Sequence, residues 1–133
     1  MESKPNPDLL PAANLAYLGD CVYELFVRET LVLQNEPHPS VASLGYVTAP
    51  RQSQIVARIL PLLTEEEESQ FRRGRNIGHS NVPRAASPAE YRRATGLEAL
   101  IGWLYLKGRE DRIRELLTIG TTEDGEPTDG ADD

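Results

Sequence analysis

The sequence predicts an all-α fold, and three observations carry that prediction. Apolar residues recur at spacings of three and four through much of residues 12–119, the period of helices that each bury one side. Two helix starts are written out in full, Thr64 with Glu67 and Ser87 with Pro88 and Glu90, in which a hydroxyl cap, a glutamate at the third helical position and, in the second, a proline at the first combine. No stretch alternates polar and apolar residues for long enough to make a strand. The 133 residues are one domain's worth, enough to bury roughly two-thirds of the surface of the unfolded chain without disulfides or a structural metal.

Residues 12 to about 33 read as the first helix, with Leu15, Leu18, Val22, Leu25, Phe26 and Leu33 in register. Ala16, Tyr23, Val27 and Leu31 occupy much of the opposite side and leave only a narrow charged strip of Asp20, Glu24 and Arg28, which predicts a helix packed on more than one face. Asn35 to Pro39 is a breaker cluster; from Ser40 to about Leu63 the helical pattern returns with Pro50 inside it, predicting two helices or one bent helix. Thr64 caps a helix to about Arg73, and the run from Gly74 to Ser87 lacks apolar periodicity and is predicted as a loop. A helix from the Ser87 cap to Lys107 stops at Gly108, and a last one runs from Glu110 to Ile119 and ends at Gly120. This divides the chain into a domain, 1–120, and an acidic tail, 121–133, with too little apolar surface to offset the entropy of ordering.

One cysteine, Cys21, excludes an internal disulfide and a cysteine-based zinc site and is read as a small core residue. The start, MESKPNPDLL, has no basic-then-apolar leader, which favours the cytoplasm. The longest near-apolar stretch, Leu97 to Leu106, covers ten residues, about half of a membrane span. The net charge of -7 argues against a polyanionic partner until it is divided. The tail holds six acids and no base, leaving 14 bases against 15 acids in residues 1–120. Arg72 to Arg93 contains six arginines against Glu90 alone, a local surplus whose planar guanidinium forks suit phosphate. A solvated arginine-rich loop with no ligand is the plainer alternative.

Two carboxylates stand where a helix ordinarily carries an apolar residue. Asp20 follows Gly19 within LAYLGDCVYELFVR, and Glu98 is the only charged residue from Leu97 through Leu106. A buried carboxylate needs a partner. Each has a structural reading, Asp20 as a salt-bridged core acid and Glu98 as the partner of Arg92 or Arg93, while Glu24 pairs most simply with Arg28 at i+4. Around Glu98, Ala94, Thr95 and Gly102 leave room for a second backbone or for water. An inward carboxylate pair from facing helices suits Mg²⁺, which takes one or two carboxylates and keeps several waters.

LAYLGDCVYE resembles the ribonuclease III signature, with its glycine-aspartate pair in an apolar helix, and ATGLEALIGWLYLKG resembles that family's second motif. With RRGRN at Arg72 to Asn76 and YRRATGLEALIGWLYL at Tyr91 to Leu106, the likeness is closest to the Mini-ribonuclease III branch, which consists of the catalytic domain alone. It spans roughly residues 8–118. Two positions depart from the longer enzymes, where a glutamate and an aspartate stand at what are here Ala16 and Thr95; the short branch shows the same thinning, and weaker metal binding is expected.

The resemblance implies a dimeric, all-α endonuclease domain that hydrolyses double-stranded RNA to 5′-phosphate ends. Asp20 and Glu98 would be both the catalytic residues and the Mg²⁺ ligands, acting on the phosphate, the attacking water and the leaving 3′-oxygen. Arg73, Arg75, Asn76, His79 and Arg84 are the expected RNA contacts, across the wide minor groove of A-form RNA; His79 is read as a contact rather than a base. The implied substrate is a stem of the 23S ribosomal RNA precursor, and a large-subunit ribosomal protein is a further candidate partner. A homodimer would set one site against each strand, with Tyr17, Tyr23 and Phe26 expected to supply part of its face. Trp103 reads as core or interface. Two other classes stay open: a non-catalytic RNA-binding or ribosome-assembly protein of the same fold, and a helical dimer without RNA affinity.

Overall fold

The computed structural model describes residues 5–77 and 87–122. These residues form six α-helices, α1 (Ala12–Leu33), α2 (Pro39–Ala42), α3 (Ala49–Ile59), α4 (Glu65–Arg75), α5 (Pro88–Leu106) and α6 (Glu110–Gly120), with short 3-10 turns at Pro7–Leu9, Ser43–Tyr46 and Leu60–Leu62. Among the described residues there is no strand, and none of their helices is long and apolar enough to cross a membrane. Thus the predicted fold class is the observed one.

Helix α5 is the axis of the molecule. It packs against α1, α3, α4 and α6, and between Ala94 and Leu104 every residue but Glu98 is buried. A helix apolar all round belongs at the centre of a bundle. Leu97, Leu100, Ile101, Trp103 and Leu104 meet Leu15, Val22, Tyr23 and Phe26 of α1, Ile55, Val56 and Ile59 of α3, Phe71 of α4 and Ile113 and Leu116 of α6 in one hydrophobic cluster. Trp103 is wholly buried, a core residue, and its indole N–H donates to Asp8 Oδ1 at 2.6 Å.

Chain punctuation follows the sequence closely. Thr64 and Ser87 each accept the backbone N–H of the third helical residue, and Glu67 and Glu90 reach back to the cap N–H, completing both capping boxes; such a cap typically contributes about 1 kcal/mol. At the far end of α5, Gly108 takes φ +76°, and the bonds Gly108 N to Tyr105 O and Arg109 N to Leu104 O close a Schellman motif. Asn35, at φ 60°, ends α1 by the same device, with Glu36 N donating to Leu31 O.

Several expectations change. Pro50 does not interrupt a helix but lies in the first turn of α3, behind the Thr48 cap, where its missing N–H costs nothing. Helix α4 runs on to Arg75, so Gly74 and Arg75 are helical rather than loop; residues 78–86, which include His79 and Arg84, lie outside the described residues, as do 123–133, which is the predicted tail but for Thr121 and Thr122, of which Thr121 caps α6. Tyr23 and Phe26 are buried core residues, not surface available to a dimer, whereas Tyr17 is 84% exposed. Cys21 is exposed, not core, and Leu25 and Leu33 are exposed as well. The cause is rotation of α1: its buried face runs through Leu15, Ala16, Gly19, Val22, Tyr23, Phe26, Val27 and Leu31, which turns Tyr17, Cys21 and Leu25, four residues apart, outward.

Candidate active site

The site lies where α1 crosses α5, and the crossing is backbone on backbone. A Cβ placed on Gly19 would stand 1.7 Å from the Glu98 carbonyl oxygen, and one on Gly102 would stand 2.0 Å from the Leu15 carbonyl oxygen. Leu15 and Gly19 on α1 thus meet Glu98 and Gly102 on α5, both pairs one turn apart. Only glycine at both positions permits this approach. Of the two occupants that the small residues around Glu98 admit, a backbone or water, the α1 backbone is present.

This crossing sets Asp20, next to Gly19, against Glu98. Asp20 is exposed and Glu98 only partly buried, so the pair sits at the rim of the core rather than inside it. Burial first, then the Asp20 carboxylate, pushes the Glu98 carboxyl up to about 8, with a side-chain hydrogen bond to Asp20 and the more distant Glu24 adding to the rise and a hydrogen bond from Gln52 opposing it. Without a cation the Glu98 carboxyl therefore favours its protonated form at neutral pH, because burial and the neighbouring acid both oppose its charge. Asp20 is exposed rather than a core acid, and the described contacts of Arg93 and Glu98 lead elsewhere. Arg93 donates to Ser53 Oγ at 2.6 Å, whereas Glu98 bonds to Gln52 and Asp20. Glu24 does pair with Arg28, at 3.2 Å.

An acid pair of this kind fits a hard divalent cation, which replaces the proton and satisfies both charges while keeping its own waters. The set is a pair and not a cage: among the described residues no group of three or more His, Cys, Asp or Glu is placed to hold a metal. Ala16 is buried and offers no donor, and the Thr95 hydroxyl is committed to the Tyr91 carbonyl at 3.0 Å.

The expected RNA contacts are less uniform than the motif suggests. Helix α4 carries four glutamates in its first turn and Arg72, Arg73 and Arg75 in its last, each charge at the helix end that favours it. The half-buried Arg73 guanidinium donates to the Leu10 carbonyl and, at 2.7 Å, to Gln70 Oε1. Arg75 stacks 5.8 Å over the Phe71 ring and donates to Asn76 Oδ1 at 3.2 Å, and Asn76 caps the helix at the surface. Gly74 of the same motif is a packing residue, since a Cβ there would stand 2.5 Å from Ala99 Cβ.

The sequence reading missed the residues that α3 contributes. Gln52 and Ser53 are 3% and 7% exposed, and they bond to Glu98 and Arg93 on α5. Tyr23, whose hydroxyl burial raises well above its ordinary range, donates to the Tyr46 carbonyl, and Arg51 stacks 5.0 Å over the Tyr46 ring. The signal for Gln52 was positional: it lies three and four residues before Ile55 and Val56, on the apolar face of its helix.

The helical fold is that of a ribonuclease III domain, and the comparisons agree. The Ribonuclease III domain profile matches residues 13–109. A Mini-ribonuclease 3 from Symbiobacterium thermophilum is 47% identical over 84% of this chain and 88% of its own length; another from Synechocystis is 39% identical over 95% and 92%. An X-ray structure of a protein from Fusobacterium nucleatum superposes with a TM-score of 0.76 at 32% identity, over 87% of this chain and 95% of that one. The chain belongs to the ribonuclease III family, in its Mini-ribonuclease III branch. It is an endoribonuclease of double-stranded RNA.

Proposed function

We propose that this endoribonuclease acts as a Mg²⁺-dependent homodimer on a double-stranded stem of the 23S ribosomal RNA precursor, with Asp20 and Glu98 as the metal-binding and catalytic residues. The observation that carries the reading is the contact between the Asp20 and Glu98 carboxyls at the Gly19–Gly102 crossing. Bound Mg²⁺ supplies a Lewis acid for the scissile phosphate, a lowered pKa for the attacking water and charge for the leaving 3′-oxygen. The chain's own part is to hold two carboxylates in contact on rigid helices, the exposed Asp20 within reach of the duplex and Glu98 behind it.

Arg75 and Asn76, at the end of α4, are the donors best presented to phosphates; Arg73, His79 and Arg84 complete the proposed RNA contacts, the last two outside the described residues. A dimer gains support from the outward stripe of Tyr17, Cys21 and Leu25 on α1, with Tyr17 and Leu25 84% and 57% exposed, an apolar surface on the helix that carries Asp20. A large-subunit ribosomal protein is proposed as a helper only on the strength of the substrate assignment, as is a cytoplasmic location.

The test is incubation of the protein with an end-labelled 23S precursor stem and Mg²⁺, repeated with EDTA, beside sedimentation analysis of its mass. Cuts on both strands with 5′-phosphate ends, lost in EDTA, are expected from a dimer. Binding of the duplex without Mg²⁺-dependent cleavage would establish the non-catalytic RNA-binding alternative instead.

A further inference from the structure

Gln52 is the polar residue that the fold buries against the acid pair from a third helix. The Thr48 cap and Pro50 set the start of α3 so that Gln52 falls on the helix's buried face with Ile55, Val56 and Ile59. That face packs on α5. A glutamine at 3% exposure on an apolar face is unusual, and its side chain bonds to Glu98. The register of the contact is held by a second bond one residue along, Arg93 Nη1 donating to Ser53 Oγ at 2.6 Å. Two neighbouring residues of α3 are therefore pinned to α5 at Arg93 and Glu98.

We infer that Gln52 is a positioning residue for the metal site, its buried side-chain amide holding the Glu98 carboxyl at Asp20 in the one orientation that a shared divalent cation can use. The inference rests on the proposal that Asp20 and Glu98 bind the metal. It follows from the thinness of the site: with Ala16 offering no donor and the Thr95 hydroxyl bonded to its own helix, no further acid from α1 or α5 at those positions restrains Glu98. A flexible glutamate on a partly exposed helix face samples several rotamers, and a site with two carboxylates loses affinity if one of them wanders. A fixed amide N–H on one carboxylate oxygen removes that freedom and leaves the remaining lone pairs for the cation. Partners of this kind, bonded to a ligand rather than to the metal, typically govern ten- to a hundredfold in affinity.

The experiment measures Mn²⁺ binding to the RNA-free protein by the electron paramagnetic resonance of free Mn²⁺, with melting curves in EDTA and the Mg²⁺ dependence of duplex cleavage. Gln52→Met keeps length and volume but cannot donate; Gln52→Asn keeps the amide but withdraws it by one methylene. Both are expected to raise the Mn²⁺ dissociation constant about ten- to a hundredfold and to raise the Mg²⁺ needed for half-maximal cleavage in parallel, with cleavage regained at saturating Mg²⁺. The melting temperature in EDTA should stay near that of the parent for at least one of them. Parental Mn²⁺ affinity in either folded variant overturns the inference, and so does unfolding of both, which would make Gln52 a packing residue. Glu98→Gln, run alongside, separates this from the reading beneath it. Loss of Mn²⁺ binding in Glu98→Gln with retention in Gln52→Met rejects the role of Gln52 alone, whereas retention in Glu98→Gln rejects the metal site itself.

Discussion

Gly19 and Glu98 touch through their backbones: the space where a Gly19 side chain would begin is already occupied by the Glu98 carbonyl, 1.7 Å away. The contact makes the glycine before the aspartate a structural requirement of the acid pair, because any side chain there would push α1 off α5 and carry Asp20 away from Glu98.

Gly19→Ala is expected to destabilise the protein by about 3 kcal/mol or more, the upper range for overpacking, since the obstructing atoms are backbone and cannot rotate aside. Gly102→Ala, at 2.0 Å from the Leu15 carbonyl, should behave alike. Gly45→Ala, with nothing within 4 Å, is the control and should change little. Urea unfolding of the three variants checks the order.

Asp20→Asn and Glu98→Gln should each abolish cleavage of duplex RNA and leave the melting temperature in EDTA equal or higher, because each replaces one of two neighbouring carboxyls that oppose each other's ionisation with an uncharged amide. Circular dichroism melts beside the cleavage assay provide the check. Unfolding of both variants would mean that the acids hold the fold together instead.

The metal-free protein should lose stability as pH rises. The Glu98 carboxyl titrates near 8 in the folded state against an ordinary 4.5, with Asp20, Glu24 and Tyr23 of α1 and Gln52 of α3 around it. Between those values the folded protein holds a proton that the unfolded chain has released. The resulting stabilisation is fully present below about pH 4.5, falls by at most about 1.4 kcal/mol per pH unit above it, and is gone beyond about 8. In Glu98→Gln this part of the slope should vanish. Chemical unfolding in EDTA from pH 5 to 9 measures it.

Arg75→Ala should weaken duplex binding at low salt and flatten the plot of log K against log salt by about one unit per phosphate contact removed. Arg73→Ala should also lower the melting temperature, because it frees the Leu10 carbonyl and the Gln70 side chain that its guanidinium holds. Filter binding at several salt concentrations, with melting curves, distinguishes the two.

Arg112→Ala should cost about 3 kcal/mol, as expected when a buried ion loses its partner. Glu67 is 3% exposed and receives two bonds of 2.8 Å from the Arg112 guanidinium. Burial pushes the Glu67 carboxyl up, but Arg112 and the Thr64 cap together outweigh it and hold it below 4.5. A depressed carboxyl stabilises the fold above its ordinary value and less so as pH falls through the folded one, so the deficit of the variant should shrink in acid. Unfolding at pH 7 and pH 3 tests this.

By itself the sequence determined what local chemistry determines. The caps at Thr64 and Ser87, the stops at Asn35 and Gly108 and the helical period are interactions among residues a few positions apart, and each helix they mark is present. The acids were legible for a related reason, since a carboxylate in the apolar run around Glu98 conflicts with its own helix, and a conflict of that kind shows in the string. Which side of α1 faces inward was not legible, because Leu25 and Tyr23 are both apolar and the choice between them is made by the fit of Gly19 and Gly102 in the crossing. The same limit hid Gln52 and the Arg112–Glu67 pair, which lie 46 and 45 residues from their partners and owe their roles to helix packing. Tertiary structure alone decided that Asp20 and Glu98, 78 residues apart in the chain, come together, because their contact depends on how closely two backbones approach.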